Sequence, residues 1–322
     1  MLATPYPAGP LHFRHRLGSW DLAEGPRVVG ILNVTPDSFS DGGKYLSPED
    51  ALAKAFAMAE EGADAIDVGG QSTRPRGPAS LGAGAEWDRI APVIQLLAAR
   101  LPEMPVSVDT YWGEVARRAL GEGAAMVNDV SGLGVDPAIA DAVAASEAGL
   151  VLMHSVGAPD RFHDRREYAD VTAEVRDFLS ARLEQAVAAG VPRDRIALDP
   201  GVGFSKRAEQ SVEALRGLPL LTALGRPLYI GVSRKSFLGA LTGESVDRRM
   251  AAGLGATVAA FALGGRIFRT HDVRETRDTL RAARAILDDT VDPASLMAPE
   301  EVSRESRARA PMADQPVPER RS

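Results

Sequence analysis

Short apolar runs rich in β-branched residues alternate along the chain with longer stretches whose Ala and Leu residues recur at helical spacing. The short runs are typical of buried strands, and the long stretches are typical of amphipathic helices. Ser47-Pro48 and Asp136-Pro137 each offer an N-cap side chain followed by a proline at the first helical position, and Gly62 lies where a helix should end. The pattern predicts eight strands, at Val28–Leu32, Ala65–Val68, Val106–Val108, Ala125–Val127, Leu150–Met153, Ile196–Leu198, Leu228–Ile230 and Ile267–Phe268.

Each strand is followed by one predicted helix. Strictly alternating β and α units form a parallel sheet with right-handed connections, and eight of them are the number that closes into a (β/α)8 TIM barrel. We therefore predict an α/β fold, a single-domain TIM barrel over residues 28–287. An open, doubly wound sheet is the alternative, because periodicity does not show whether a sheet closes. The helices are predicted around Pro48–Glu61, Glu86–Arg100, Gly113–Gly121, Pro137–Ala145, Val171–Ala189, Ala208–Arg216, Asp247–Leu263 and Val273–Leu287.

The two ends of the chain differ from the barrel in composition. Residues 1–27 are rich in Pro and Gly and then mildly strand-like at Leu11–Leu17 and Ser19–Leu22, which predicts an N-terminal extension with a hairpin that covers the barrel bottom. Residues 288–322 are rich in Pro, Glu, Ser, Arg and Ala without periodicity, which predicts a disordered C-terminal tail.

Composition narrows the function classes. The 322 residues are 45% hydrophobic, and 44 acidic against 37 basic residues give a formal net charge of -7, so a nucleic-acid partner is not expected. The absence of cysteine excludes disulfides and Cys-ligated metals. No apolar run is long enough to span a bilayer, and the amino terminus lacks the features of a signal peptide. We expect a soluble, cytoplasmic protein without a membrane partner.

Polar side chains follow the predicted strands directly, and a barrel gathers all of its strand carboxyl ends around one mouth. Asp109, Asn128 and Asp199 each end an apolar strand. Singly, such a residue is more often a helix cap or a loop ion pair. Three on one rim favour a ligand, and a heterocycle with an amino-amide edge presents adjacent N–H groups that a carboxylate accepts.

Cationic motifs follow the last two strands, at 233–236 (Ser-Arg-Lys-Ser) and 269–272 (Arg-Thr-His-Asp). Facing carboxylates across the same mouth, they suit a substrate with a donor-rich ring and an anionic tail, such as a heterocyclic phosphate ester. The polar, Gly-containing loops at 33–43 and 67–75 either contribute to such a site or are ordinary connections. Without dense His or carboxylate spacing, any metal should be a hard ion such as Mg²⁺, held mostly by phosphate and water.

The motifs together resemble the dihydropteroate synthase family of pterin-binding barrels, over residues 28–287. Its two signature loops are matched by 30–43 (GILNVTPDSFSDGG) and 72–75 (STRP). The resemblance implies condensation of (7,8-dihydropterin-6-yl)methyl diphosphate with 4-aminobenzoate, Mg²⁺ as cofactor, and a homodimer. Further matches follow in the same order at 108–110, 128–130, 152–154, 199–201, 233–236 and 269–273.

The resemblance also assigns roles, residue by residue. Asn33 would bind Mg²⁺, and Thr270 would join the substrate contacts. Arg269, His271, Lys235 and Arg74 would be the catalytic residues. The pterin ring would be bound by Asp109, Asn128, Asp199 and Lys235, the diphosphate by Thr73, Arg74, Arg269 and His271, and the aminobenzoate by Phe39, Pro75, Phe204 and Ser236.

Four positions depart from the family pattern: Gln71, Arg76, Ser155 and Val202. They leave a non-enzymatic alternative open, namely that the chain is a paralogue that binds pterins without condensing them. A methyltransferase that uses methyltetrahydrofolate and a corrinoid is the second alternative. It needs no diphosphate site, so the motifs around Arg74 and Arg269 argue against it.

Overall fold

A computed structural model of the protein describes residues 11–35, 47–71, 81–157, 160, 162, 166–288 and 290–297. The strands in this part are β1 (His12–His15), β2 (Gly18–Asp21), β3 (Arg27–Asn33), β4 (Ala65–Gly69), β5 (Val106–Asp109), β6 (Met126–Asp129), β7 (Gly149–Met153), β8 (Ile196–Asp199), β9 (Leu228–Ile230) and β10 (Gly265–Thr270). The helices are α1 (Pro48–Glu60), α2 (Ala83–Arg100), α3 (Gly113–Gly121), α4 (Ala138–Ala144), α5 (Val171–Ala188), α6 (Ala208–Arg216), α7 (Leu218–Thr222), α8 (Ser236–Thr242), α9 (Met250–Ala262) and α10 (Val273–Leu287).

Strands β3 to β10 form a closed parallel barrel, in which β10 pairs with β3 and every other strand pairs with its neighbours in the chain. The prediction of an α/β (β/α)8 TIM barrel is therefore confirmed, and the open doubly wound sheet is excluded. The strands are almost entirely buried because helices cover them outside and side chains fill the barrel inside. On α2, for example, Ile90, Val93, Ile94 and Leu97 recur at helical spacing and pack into this core.

The prediction of one helix per strand is wrong after β8 and β9, since two helices follow each of these strands. Gly217 ends α6, and Pro219 lies in the first turn of α7, so the Ala208–Arg216 pattern continues as a separate short helix. Helix α8 has seven residues, too few for periodicity to reveal, and it stops at the left-handed Gly243 (φ 76°). Helix α9 begins at Met250, because residues Val246–Arg248 form a 3₁₀ turn.

Strand β10 is longer than predicted, since Arg269 and Thr270 pair through their backbones with Val29 and Gly30 of β3. The sequence pattern did not predict this extension because Arg269 and Thr270 are polar. After α10, a further 3₁₀ turn at Pro293–Leu296 receives a hydrogen bond from Arg281 Nε to the Leu296 carbonyl (2.6 Å). The described residues thus extend to 297, and the rest of the predicted tail lies outside them.

The antiparallel hairpin β1–β2 covers the amino-terminal end of the barrel. Phe13 and Trp20 pack against the first residues of several barrel strands, and the Phe13 ring takes the space where Gly149 lacks a Cβ. Arg226 Nη2 donates to the His12 carbonyl at 2.7 Å. Because the hairpin covers this end, we expect the site at the opposite end, where the carboxyl ends of the strands lie. Within the described residues, no helix combines the length and apolarity needed to cross a bilayer.

Candidate active site

Arg269 connects carboxylates from two strands inside the mouth of the barrel. Its Nε donates to Asp67 Oδ2 at 2.6 Å, and its Nη2 donates to Asp109 Oδ2 at 2.8 Å. Asn128 Nδ2 donates to the same Asp67 oxygen at 3.0 Å. Two strands separate β10 from β5 in the sheet, so the Arg269–Asp109 contact crosses the barrel interior. The planar guanidinium is suited to such a double contact.

The charges of this cluster depend on one another. Burial raises the pKa of Asp109 to about 7, Arg269 acts to lower it, and Asp67 acts to raise it. Burial would lower the pKa of Arg269, but Asp67 and Asp109 outweigh burial and raise that pKa above its ordinary value. Arg269 therefore remains a cation between two acidic groups, and burial makes Asp109 easier to protonate than an exposed carboxyl.

Asp199, Lys235 and Phe204 form the neighbouring part of the rim. Asp199 Oδ1 accepts a hydrogen bond from the Gly201 amide at 2.7 Å. Lys235 Nζ donates to the Val202 carbonyl at 2.6 Å and lies 4.3 Å from the centre of the Phe204 ring. Burial raises the pKa of Asp199, and Lys235 opposes that shift. Burial lowers the pKa of Lys235 to about 8, and Asp199 opposes it. A carboxylate, an amine and an aromatic face thus lie side by side.

His271 is oriented by a serine of the preceding strand end. Its Nδ1 is 3.1 Å from Ser233 Oγ, and its backbone N–H donates to the same oxygen at 3.3 Å. Thr270, a predicted substrate contact, is buried, and its hydroxyl oxygen accepts from the Asp272 amide (3.1 Å) and from the Thr276 hydroxyl (3.0 Å). The Thr270 hydroxyl therefore contacts the first turn of α10, and its role as a substrate contact stays a prediction.

Asn33 ends β3 beside Asp109. A Cβ built on Gly69 would lie 3.7 Å from Asn33 Oδ1 and 3.5 Å from Asp109 Oδ2, so both side chains border one spot on the rim. In the ranges that the structure describes, no group of three or more His, Asp or Glu residues is arranged to hold a metal ion. One amide oxygen beside a carboxylate fits a hard ion bound mainly by phosphate and water.

Some predicted site residues lie outside the described part of the chain: Phe39, Thr73, Arg74 and Pro75, together with Arg76. Ser236 is exposed at the first position of α8. The structure therefore brings Asn33, Asp109, Asn128, Asp199, Phe204, Lys235, Arg269 and His271 to the carboxyl ends of the barrel strands.

The described departures from the family pattern fit their surroundings. Gln71 Nε2 donates to the Glu86 carboxylate, and Gln71 Oε1 accepts from Tyr111 OH (2.6 Å) and from the Leu81 amide (3.0 Å). Ser155 Oγ donates to the Val130 carbonyl at 2.6 Å. Val202 is buried and supplies the carbonyl that Lys235 contacts.

Two parts of the site were missed by the sequence reasoning. Asp67 is a charged residue in the middle of an apolar strand, a signal that could have marked it as a buried ion-pair partner. Lys206 and His154 form a buried pair behind Asp199, with Nζ and Nδ1 2.8 Å apart. His154 belongs to a matched motif, but nothing local in the sequence links it to Lys206, which is 52 positions away.

Comparison with known proteins agrees with this geometry. Residues 29–271 match the family model described as pterin binding enzyme. The chain is 42% identical over 283 residues to the dihydropteroate synthase of Synechocystis sp. (strain ATCC 27184 / PCC 6803 / Kazusa), covering 88% of this chain and 95% of that relative. The chain belongs to the dihydropteroate synthase family.

Solved structures of dihydropteroate synthases share the fold. The Xanthomonas albilineans enzyme with 4-aminobenzoic acid matches with a TM-score of 0.77 and 43% identity, covering 84% of this chain and 96% of that one. The same species' enzyme in complex with 7,8-dihydropteroate matches with a TM-score of 0.75 and 40% identity, at the same coverage of 84% and 96%. As a member of the dihydropteroate synthase family, the chain is a transferase of folate biosynthesis.

Proposed function

We propose that the chain condenses (7,8-dihydropterin-6-yl)methyl diphosphate with 4-aminobenzoate, giving 7,8-dihydropteroate and diphosphate. One observation carries the proposal: a single mouth holds Asp109 and Asp199, which suit a donor-rich ring, next to Arg269 and His271, which suit an anion. The ligands named for the two Xanthomonas albilineans structures are a substrate and the product of this reaction.

In the proposed reaction, the C–O bond between the pterin methylene and diphosphate breaks, and its electron pair leaves with diphosphate. The aminobenzoate nitrogen forms the new bond to that carbon and loses a proton. The pterin ring stabilises positive charge on the methylene, so no protein nucleophile is needed. Arg269 and His271 stabilise the departing anion, while Asp109, Asn128 and Asp199 hold the ring in line.

Asn33 is the described residue that would bind Mg²⁺, and the ion would neutralise charge on the diphosphate when bound. The exposed outer face of α9, with Ala251, Gly255 and Ala259 beside Met250, is apolar and built from small residues. We propose that a homodimer forms on this face. The cytoplasm stays the proposed compartment, on the cysteine-free composition.

The test is an assay of diphosphate release from purified protein with the pterin diphosphate, 4-aminobenzoate and Mg²⁺. Release should require the amine and fall when Mg²⁺ is chelated. Lys235→Ala should raise the KM for the pterin diphosphate, and His271→Ala should chiefly lower kcat, whereas Lys54→Ala, an exposed change on α1, should alter neither. Pterin binding without release would support the non-catalytic paralogue, and methyl transfer from methyltetrahydrofolate to a corrinoid would support the methyltransferase.

A further inference from the structure

Lys206 lies behind the turn that follows β8, and the proposed reaction makes no use of it. The residue is only 8% exposed. Its Nζ contacts His154 Nδ1 at 2.8 Å, the Gly201 carbonyl at 3.1 Å and the Phe204 carbonyl at 3.2 Å. Three acceptors match the three N–H bonds of an ammonium group. The geometry is that of a buried cation holding backbone in place.

His154 links this cation to the end of β7. Its backbone N–H donates to the Asp199 carbonyl at 2.9 Å. Burial, reinforced by the positive charge of Lys206, lowers the pKa of His154 to about 2, so its imidazole is neutral. A neutral imidazole accepts from an ammonium through its unprotonated nitrogen, here Nδ1. Lys206 therefore joins two strand ends through one side chain.

The turn that Lys206 contacts has an unusual backbone. Gly201, Gly203 and Ser205 have positive φ values of 66°, 80° and 52°. A Cβ on Gly201 would come within 1.9 Å of the His154 carbonyl oxygen, so only glycine fits there. Backbone in such conformations persists when its surroundings hold it, and Lys206 contacts two of the carbonyls of this turn.

The same turn presents three groups to the mouth of the barrel. The Asp199 carboxylate begins it, the Val202 carbonyl accepts from Lys235, and the Phe204 ring lies beneath the Lys235 amine. A shift of the turn would move all three together. These groups would face both the pterin and the aminobenzoate.

We propose that Lys206 is a positioning residue for both substrates, whose buried ammonium holds the turn of residues 199–205 in the conformation that places Asp199, Val202 and Phe204. The identity of the substrates rests on the proposed function. The role of Lys206 in holding the turn does not rest on the proposed function.

The charged form of Lys206 depends on its neighbours. Burial lowers the pKa of Lys206 to about 7, Asp199 raises it, and Lys235 lowers it. Arg166 also acts to lower the pKa of His154, the partner of Lys206. Below pH 7 the ammonium supplies three donors, and above it the amine keeps two for the same three acceptors. Binding is therefore measured at pH 6.5.

The first readout compares Lys206→Met with the control Lys54→Met, the same change at an exposed position of α1. In calorimetric titration with 6-hydroxymethylpterin, Lys206→Met should bind about tenfold more weakly than wild type, and the control should match wild type. In the condensation assay, Lys206→Met should raise KM for both substrates more than it lowers kcat. Unchanged affinity and KM, with fewer active molecules, would overturn the proposal, because a purely structural loss reduces only the active fraction.

The second readout needs no ligand. Hydrogen exchange of the Gly201 and Phe204 amides, which donate to Asp199 Oδ1 (2.7 Å) and to the Gly201 carbonyl (3.0 Å), should speed up about tenfold in Lys206→Met and not in Lys54→Met. Unchanged exchange would refute the positioning role. If wild type binds no pterin, the proposed function fails, and this readout still decides about Lys206. If Lys206→Met does not fold, Lys206→Gln, which keeps two N–H donors, should give intermediate values in both measurements, and wild-type values would count against the proposal.

Discussion

At the scale of single residues, the site is organised by two partly buried cations. Arg269 contacts Asp67 and Asp109, and Lys235 contacts the Val202 carbonyl near Asp199. Asp67 is fully buried, and a buried carboxylate without a partner would be far costlier than the pair. Arg269 is therefore needed by the fold before any substrate arrives, in addition to its proposed role toward diphosphate.

Replacing Arg269 by Met should lower the free energy of unfolding by about 3–5 kcal/mol at pH 8, because Asp67 and Asp109 lose their shared counter-ion. Arg118→Met is the control, since it removes the exposed helix pair with Glu114 (2.7 Å) and a cation–π contact over the Trp87 ring (5.8 Å to its centre), and it should cost about 1 kcal/mol. Urea unfolding measures both. Equal losses in the two variants would mean that the interior pair contributes no more than a surface one.

At the scale of elements, the hairpin β1–β2 carries a titratable group into an apolar layer. His15 is buried between Phe13 and Trp20, with ring centres 6.4 and 5.0 Å away. Burial lowers the pKa of His15 to about 4 from the ordinary 6.5. Below pH 6.5 the unfolded chain gains a proton that the folded chain does not take up until about pH 4, so acid destabilises the hairpin.

His15→Phe should remove this sensitivity. Wild type should lose about 2 kcal/mol through His15 when the pH falls from 8 to 5, and His15→Phe should lack that part of the loss. Urea unfolding at the two pH values measures the difference, and His154, also buried and neutral, contributes equally in both proteins. An identical pH dependence of the two proteins would show that His15 titrates normally in the fold.

The elements also show how far the sequence could lead. Each of the eight barrel strands is a mostly apolar run, so periodicity located all of them, and the polar residues that end β3, β5, β6, β8 and β10 marked the rim. Short helices such as α7 and α8 were missed because fewer than two turns leave no period. The partners of Asp67 and Lys206 were missed because contacts between distant strand ends have no local signature. Arg269 lies 202 positions from Asp67.

At the scale of the whole molecule, two parts of the barrel surface differ in polarity. The carboxyl-end mouth is charged, while the outer face of α9 is apolar and exposed. An apolar helix face on a protein of net charge -7 is more easily explained as a contact surface than as a solvated one.

Gly255→Arg should therefore convert a dimer into a monomer, because it introduces a charge in the middle of that face. A Cβ built on Gly255 meets no atom within 4 Å and the residue is exposed, so the fold of the single chain should be unaffected. Gly121→Arg, at an equally open glycine on α3, is the control and should leave the mass unchanged. Sedimentation equilibrium gives the masses. A dimer that survives Gly255→Arg would place the interface elsewhere, and a monomeric wild type would exclude it.

The pairing of β10 with β3 affects how the chain folds while it is being synthesised. The first barrel strand to leave the ribosome finds its final partner only when β10, the last strand of the barrel, has emerged. Until then β3 has an open edge, Asp67 lacks Arg269, and the ring of strand ends is incomplete. Such long-range pairing slows folding, and the apolar strands remain exposed until the last strand has been synthesised. A nascent chain that ends before residue 265 thus has neither a closed sheet nor the cation that two of its carboxylates require.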